Sequence, residues 1–195
     1  MAPFAHILAG FSLALRFREQ LARILMHTPV ETSILTLDPA LLKERGIAAL
    51  ALDFDGVLAP HGFLAPLPAA EEWLSRCVAE FGGDRVFILS NKPTEARRSW
   101  FARKFPEIRF ISGVRKKPFP DGLNRIGALA GVPLASILMV DDRLLTGCLA
   151  ALNAGALPLY VRRPYVSLAH RPVTELFFML LRSGERVYAA LISRL

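Results

Sequence analysis

The stretch Ile47-Ala48-Ala49-Leu50-Ala51-Leu52-Asp53-Phe54-Asp55-Gly56-Val57-Leu58 decides how the rest of the chain is read. A short apolar run between Gly46 and Gly56 has the pattern of a buried strand. Asp53 and Asp55 follow where that strand ends. Side chains at i and i+2 share a face, so the two carboxylates can converge on one point while Gly56 lets the backbone turn away. Two like charges side by side are costly unless a cation or a shared proton offsets them. Taken alone, the same residues also fit two solvated aspartates beside a turn.

Working outward, the runs 85–89, 109–112, 136–140 and 157–161 read as further short strands, the first of them ending in Ser90-Asn91-Lys92-Pro93. Helical patterns lie between them. Trp73, Leu74, Cys77, Val78 and Phe81 form one apolar face, opened near Pro68 and stopped by Gly82-Gly83. Thr94 is an N-cap candidate for a helix to about residue 104, whose Arg97, Arg98, Arg103 and Lys104 make a solvated or membrane-facing basic face. Residues 120–130 and the set Leu144, Leu145, Cys148 and Leu152, stopped near Gly155, give two more helices. Upstream, Asp38-Pro39 opens a short helix over 40–45, stopped by Gly46. Strands alternating with helices at this spacing predict an α/β fold, a doubly wound parallel sheet with helices on both faces.

The 195 residues divide into an N-terminal apolar and basic helical segment (1–38), a core (39–165) and a C-terminal helical segment (166–195). A 53% hydrophobic composition with mean hydropathy +0.37 excludes disorder as the main state. The net charge of +7 points to anionic partners, phosphates or an anionic membrane surface. No aromatic-basic motif is evident, so no nucleic acid is expected. Cys77 and Cys148 sit in apolar helical patterns and read as buried thiols of a reducing compartment. No stretch has the length and apolarity of a transmembrane helix.

Phe4, Ile7, Leu8, Phe11 and Leu15 recur at helical spacing before Arg16, Arg18 and Arg23, an order opposite to that of a signal peptide. This segment is either an interfacial helix or one packed on the domain's own core. At the other end come Leu176, Phe177, Phe178, Leu180 and Leu181, with Arg182, Arg186 and Arg194. They form a closing helix or a second interfacial one, broken or kinked at Gly184.

Ligands of open parallel sheets bind outside the carboxyl ends of the strands. This chain puts Asp53 and Asp55, Ser90, Lys117, and Asp141 with Asp142 at those ends. The acids suit a hard cation; the hydroxyl and the ammonium suit an anion. Ser90 also fits a helix cap, Lys116 is the alternative to Lys117, and His61 reads as a solvated loop residue. His6, His27 and His170 are too scattered for a ligand set.

In Asp53-Phe54-Asp55-Gly56-Val57, Ser90, Lys117 and Asp141-Asp142, in that order over about residues 47–162, the chain resembles the haloacid dehalogenase-like (HAD) phosphatases. Residues 42–47, Leu89-Ser90-Asn91, Lys117-Pro118 and Asp142-Arg143-Leu144-Leu145-Thr146 resemble its YqeG-type branch, which includes the phosphatidylglycerophosphate phosphatases of the mitochondrial matrix. That branch has Asn-Thr in place of Gly56-Val57, an acid in place of Gly147 and a glycine in place of Asp141, so Asp141 is expected to supply the carboxylate missing at 147.

The resemblance implies a Rossmann-like HAD core and a Mg2+-dependent phosphomonoester hydrolase. Asp53 would be the nucleophile forming an aspartyl-phosphate, and Asp55 the acid and then the base. Mg2+ would be held by Asp53, Asp55 through its carbonyl, and Asp142 or Asp141. Ser90, Asn91, Lys117 and the Gly56 amide region would hold phosphoryl oxygens. Residues 59–66 and 91–108 are too short for an inserted cap domain, so a capless site open to a large or surface-bound substrate is expected. The expected substrate is phosphatidylglycerophosphate in phospholipid synthesis, met by a cytoplasmic protein peripheral on the inner membrane face. The alternatives are a soluble sugar or nucleotide phosphate as substrate, and a catalytically silent membrane-binding scaffold.

Overall fold

The computed structural model describes residues 5–91 and 94–193, with side chains from residue 10 onward. The expectations placed on Phe4, Lys92, Pro93 and Arg194, and on the side chains of Ile7 and Leu8, lie outside the described residues.

Five strands, β1 (Ala49–Leu52), β2 (Val86–Ile88), β3 (Arg109–Phe110), β4 (Ile137–Asp141) and β5 (Leu157–Tyr160), form one sheet in the order β3-β2-β1-β4-β5. Every pairing is parallel, with Leu50 opposite Val86 on one side and Leu138 on the other. The first strand begins two residues later than the apolar run suggests, because the Ile47 N–H bonds back to the Leu42 carbonyl at the end of α3 (Pro39–Glu44). The fourth runs one residue further: the Val161 N–H donates to the Asp141 carbonyl, so Asp141 is still in the sheet and Asp142 is the first residue beyond it.

Alternation along β1 divides the core. Leu50 and Leu52 pack with Trp73 and Leu74 of α4 (Pro68–Phe81) and Phe101 of α5 (Glu95–Lys104) on one face. Ala49 and Ala51 meet Leu123 and Ile126 of α6 (Asp121–Ala130) and Ala150 and Ala151 of α7 (Leu149–Ala154) on the other. Thr94 caps α5 as expected, its hydroxyl accepting from the Arg97 N–H, and Asp38 caps α3 at the Ala40 N–H. Both cysteines are buried free thiols.

The terminal helices form a third cluster. Ala14 of α1 (Ala5–Arg16) and Leu21 of α2 (Arg18–His27) pack with Leu149, Tyr160, Ala189 and Ile192, the last two on α8 (Pro172–Ile192). The N-terminal segment therefore packs on the domain while leaving Phe11, Leu15 and Met26 exposed. Gly184 does not break α8: the helix runs continuously through it, with ion pairs of Arg182 and Glu185 on either side. No described helix is long and apolar enough to cross a membrane.

Candidate active site

The carboxyl ends of β1 and β4 bring three acids together. Asp53 follows β1, its N–H donating to the Val140 carbonyl, while Asp141 and Asp142 stand at the end of β4. One oxygen of each of the three lies within 4.8 Å of the others. Lys117, from the segment after β3, enters between them: Nζ is 2.9 Å from Asp53 Oδ2 and 2.5 Å from Asp141 Oδ2. The adjacent Lys116 is exposed and lines the cavity without reaching an acid. The Lys117 N–H donates to Asn91 Oδ1 at 3.0 Å, so Asn91 fixes the lysine loop from the end of β2. Ser90 is buried and lines the same cavity.

Burial pushes the Asp53 and Asp142 carboxyls up to about 6, against the pull of Lys117 on the first and Arg182 on the second. Burial raises Asp141 as well, again opposed by Lys117. For Lys117 burial works downward, but Asp141 and Asp53 outweigh it and raise its pKa. The lysine is therefore a fixed cation. Asp53, whose side chain keeps 14% of its exposure where Asp141 keeps none, is the reachable acid of the pair and is ionised above about pH 6.

Asp55 is held differently. Arg97 of α5 binds both its oxygens, at 3.0 and 2.6 Å, and the Gly62 N–H adds a third contact at 3.3 Å. The guanidinium lies over the Phe54 ring and donates from Nε to the Phe63 carbonyl. Arg97 is thus buried inside the site and not part of a solvated basic face. Gly56 has φ +81°, and its N–H donates to the Ala59 carbonyl within the turn. A Cβ there would stand 2.2 Å from Asp142 Oδ2, so this glycine makes room for a carboxylate. At Gly147 a Cβ would overlap the Asp141 side chain at 2.0–2.2 Å.

The helix α8 reaches the site from the far end of the sequence. Arg182 Nε donates to Asp142 Oδ2 at 2.5 Å, and both terminal nitrogens are buried without a partner among the described residues. Glu185 pairs with Arg143. Glu175 accepts from the His61 N–H at 2.9 Å and faces His61 Nδ1 at 3.3 Å, while the His61 ring stacks 3.8 Å from that of Phe178. The solvated-loop reading of His61 is therefore corrected: the residue is 8% exposed because α8 covers it. Burial lowers its pKa, with Asp55 and Glu175 pulling the other way and Arg182 adding to the fall. Glu175, Arg182 and Glu185, spaced seven and three residues apart, form one polar stripe on an apolar helix. That stripe was the legible signal for a helix turned toward a charged site.

A cavity of about 820 Å³ joins these groups and is lined by Asp53, Asp55, His61, Ser90 and Lys117. Phe11, Phe177, Leu181 and Tyr188 of the terminal helices line the same cavity. Among the described residues no domain is inserted after β1 or β2; the terminal helices line the cavity instead.

Three converging carboxylates are donors for a hard divalent cation such as Mg2+. Four acids face the three cations Lys117, Arg97 and Arg182, and Asp142 Oδ1 has no hydrogen bond among the described residues, so the donor set fits such an ion.

No curated protein matches the chain. A solved structure, described only as an uncharacterized protein from Corynebacterium glutamicum, is similar at 17% identity and a TM-score of 0.45, over 71% of this chain and 96% of that one. The family model for haloacid dehalogenase-like hydrolases matches residues 13–155, most of the chain, and the protein accordingly belongs to the haloacid dehalogenase-like hydrolase family.

Proposed function

We propose that this hydrolase cleaves phosphomonoesters through an aspartyl-phosphate on Asp53, and that its substrate is phosphatidylglycerophosphate, as the YqeG-type resemblance implies. The observation that carries the reaction is Asp53 Oδ2 standing 2.9 Å from Lys117 Nζ, both residues lining the cavity. Asp53 attacks phosphorus, the ester P–O bond breaks, and the alcohol leaves with a proton from Asp55. Water, deprotonated by Asp55, then releases phosphate from Asp53. Lys117 and Ser90 hold phosphoryl oxygens. Asp53, Asp142 and Asp141, with the Asp55 carbonyl, would hold Mg2+, which when bound screens the negative charges that Asp53 and phosphate bring together.

The lipid assignment draws support from the apolar residues of the cavity lining. Phe177 and Leu180 line the cavity and also belong to the exposed apolar face of α8, where Val173 is 80% and Leu180 73% exposed. Arg171 beside them and the net charge of +7 suit an anionic inner membrane face. The test is phosphate release from phosphatidylglycerophosphate in mixed micelles with magnesium, wild type beside Asp53→Asn. Release lost in the variant supports the reading. Silence on the lipid, with Asp53-dependent hydrolysis of a small phosphomonoester, moves the substrate to a soluble one.

A further inference from the structure

His61 is a buried side chain that the reaction above does not use. Glu175 contributes only acceptors. Its Oε1 takes the His61 backbone N–H at 2.9 Å, and its Oε2 faces Nδ1 at 3.3 Å, so the ring proton belongs on Nδ1. Stacking 3.8 Å from Phe178 fixes the plane of the ring. Nε2 is then a lone-pair acceptor, and among the described residues nothing donates to it. The residue nevertheless lines the cavity beside Asp53 and Asp55, and the next residue, Gly62, donates to Asp55. An oriented acceptor close to the group that protonates the leaving oxygen faces the alcohol half of a bound ester. Asp55 is committed in that reaction to the leaving oxygen and then to the water, so a further hydroxyl needs a separate acceptor.

We propose that His61 Nε2 accepts a hydrogen bond from a free hydroxyl on the alcohol half of the substrate, so that the site selects phosphomonoesters of polyols over those of simple alcohols. This rests on the phosphomonoesterase reading and adds a recognition element to it. A site built to bond a hydroxyl discriminates against an analogue lacking it, because the protein acceptor is then left unpaired.

The test uses the full chain carrying Asp53→Asn, which permits binding without turnover. Calorimetry measures inorganic phosphate, glycerol 1-phosphate and propyl phosphate with His61 present and with His61→Phe, which keeps an aromatic ring against Phe178. Glycerol 1-phosphate is expected to bind about tenfold tighter than propyl phosphate, the worth of one hydrogen bond, with the ratio collapsing toward one in His61→Phe. A second measurement needs no change at His61: the 15N resonance of Nε2 moves on adding glycerol 1-phosphate and stays in place with propyl phosphate. Equal affinities for the two esters, or a preference that survives His61→Phe, overturns the proposal. Failure of the underlying reading looks different: inorganic phosphate does not bind, the parent protein releases no phosphate with magnesium, and the proposal falls with it.

Discussion

Arg182 Nε stands 2.5 Å from Asp142 Oδ2, across a separation of 40 residues. The C-terminal helix thereby places a cation on one of the three carboxylates that a metal ion would share. Breaking a buried ion pair from one side strands the other charge. Arg182→Met is therefore expected to lower stability by about 3 kcal/mol in urea unfolding without divalent ions. Magnesium should restore part of that loss, because the ion replaces the missing positive charge at Asp142. The stabilisation by magnesium should then be larger in the variant than in the wild type; equal responses would show that Arg182 and the ion do not act on the same carboxylate.

Arg97 grips Asp55 with two hydrogen bonds in a fork that lysine cannot reproduce. If Asp55 is the acid of the proposed reaction, Arg97→Lys should leave it free to rotate away from the leaving oxygen. The expected loss in kcat is about tenfold to a hundredfold on an alkyl phosphate, whose leaving group needs the proton. On p-nitrophenyl phosphate, whose leaving group departs as the anion, the loss should be clearly smaller. Equal losses on both substrates would mean that Arg97 holds the fold and not the acid.

What the sequence carried was local. The apolar runs gave the strands, and Thr94 and Asp38 gave their helix caps, because each of these is a property of a few neighbouring residues. The i, i+2 spacing set Asp53 and Asp55 at the end of β1, but the carboxylates that group with Asp53 are Asp141 and Asp142, while Asp55 is held by Arg97. Strand ends moved by a residue or two where a backbone group such as the Ile47 N–H had a nearer partner. Arg97, His61, Glu175 and Arg182 were not legible in the same way. Each owes its role to a partner at least 40 residues away; the spacing of Glu175, Arg182 and Glu185 marks a polar stripe on α8, but neither propensity nor periodicity names the partner. Arg97 in particular sits among Arg98, Arg103 and Lys104, so its burial is invisible in composition.

Gly147 and Asp141 occupy one volume: a Cβ built at 147 lies 2.2 Å from Asp141 Cβ and 2.0 Å from its Oδ2. An exchange of an acid at 147 for one at 141 would therefore need both positions to change together. Gly147→Asp alone should drive Asp141 off Lys117, lowering stability by at least about 1–3 kcal/mol and abolishing most activity. Combining it with Asp141→Gly should recover much of both, since the second change empties the space the first requires. Thermal unfolding and phosphate release from the two single variants and the double variant decide the matter. Strictly additive losses would refute the exchange.

The raised carboxyls also fix how stability should depend on pH and on magnesium. Asp53 and Asp142 titrate near 6 in the folded chain, against 3.8 for an unperturbed aspartate. A folded-state pKa above the unfolded value means that the native state holds protons the unfolded state releases. The contribution of these two groups is therefore fully present below about pH 4 and is lost as pH rises through 6. Other groups add their own slopes, so the diagnostic quantity is a difference. Between pH 5 and 7.5 the wild type should lose stability relative to Asp142→Asn, which has no such proton to release. Bound magnesium favours the ionised acids, so its stabilising effect should grow over the same interval and be weak at pH 5. Urea unfolding at both pH values, with EDTA and with magnesium, measures this. A magnesium effect that does not change with pH would place the ion away from Asp53 and Asp142.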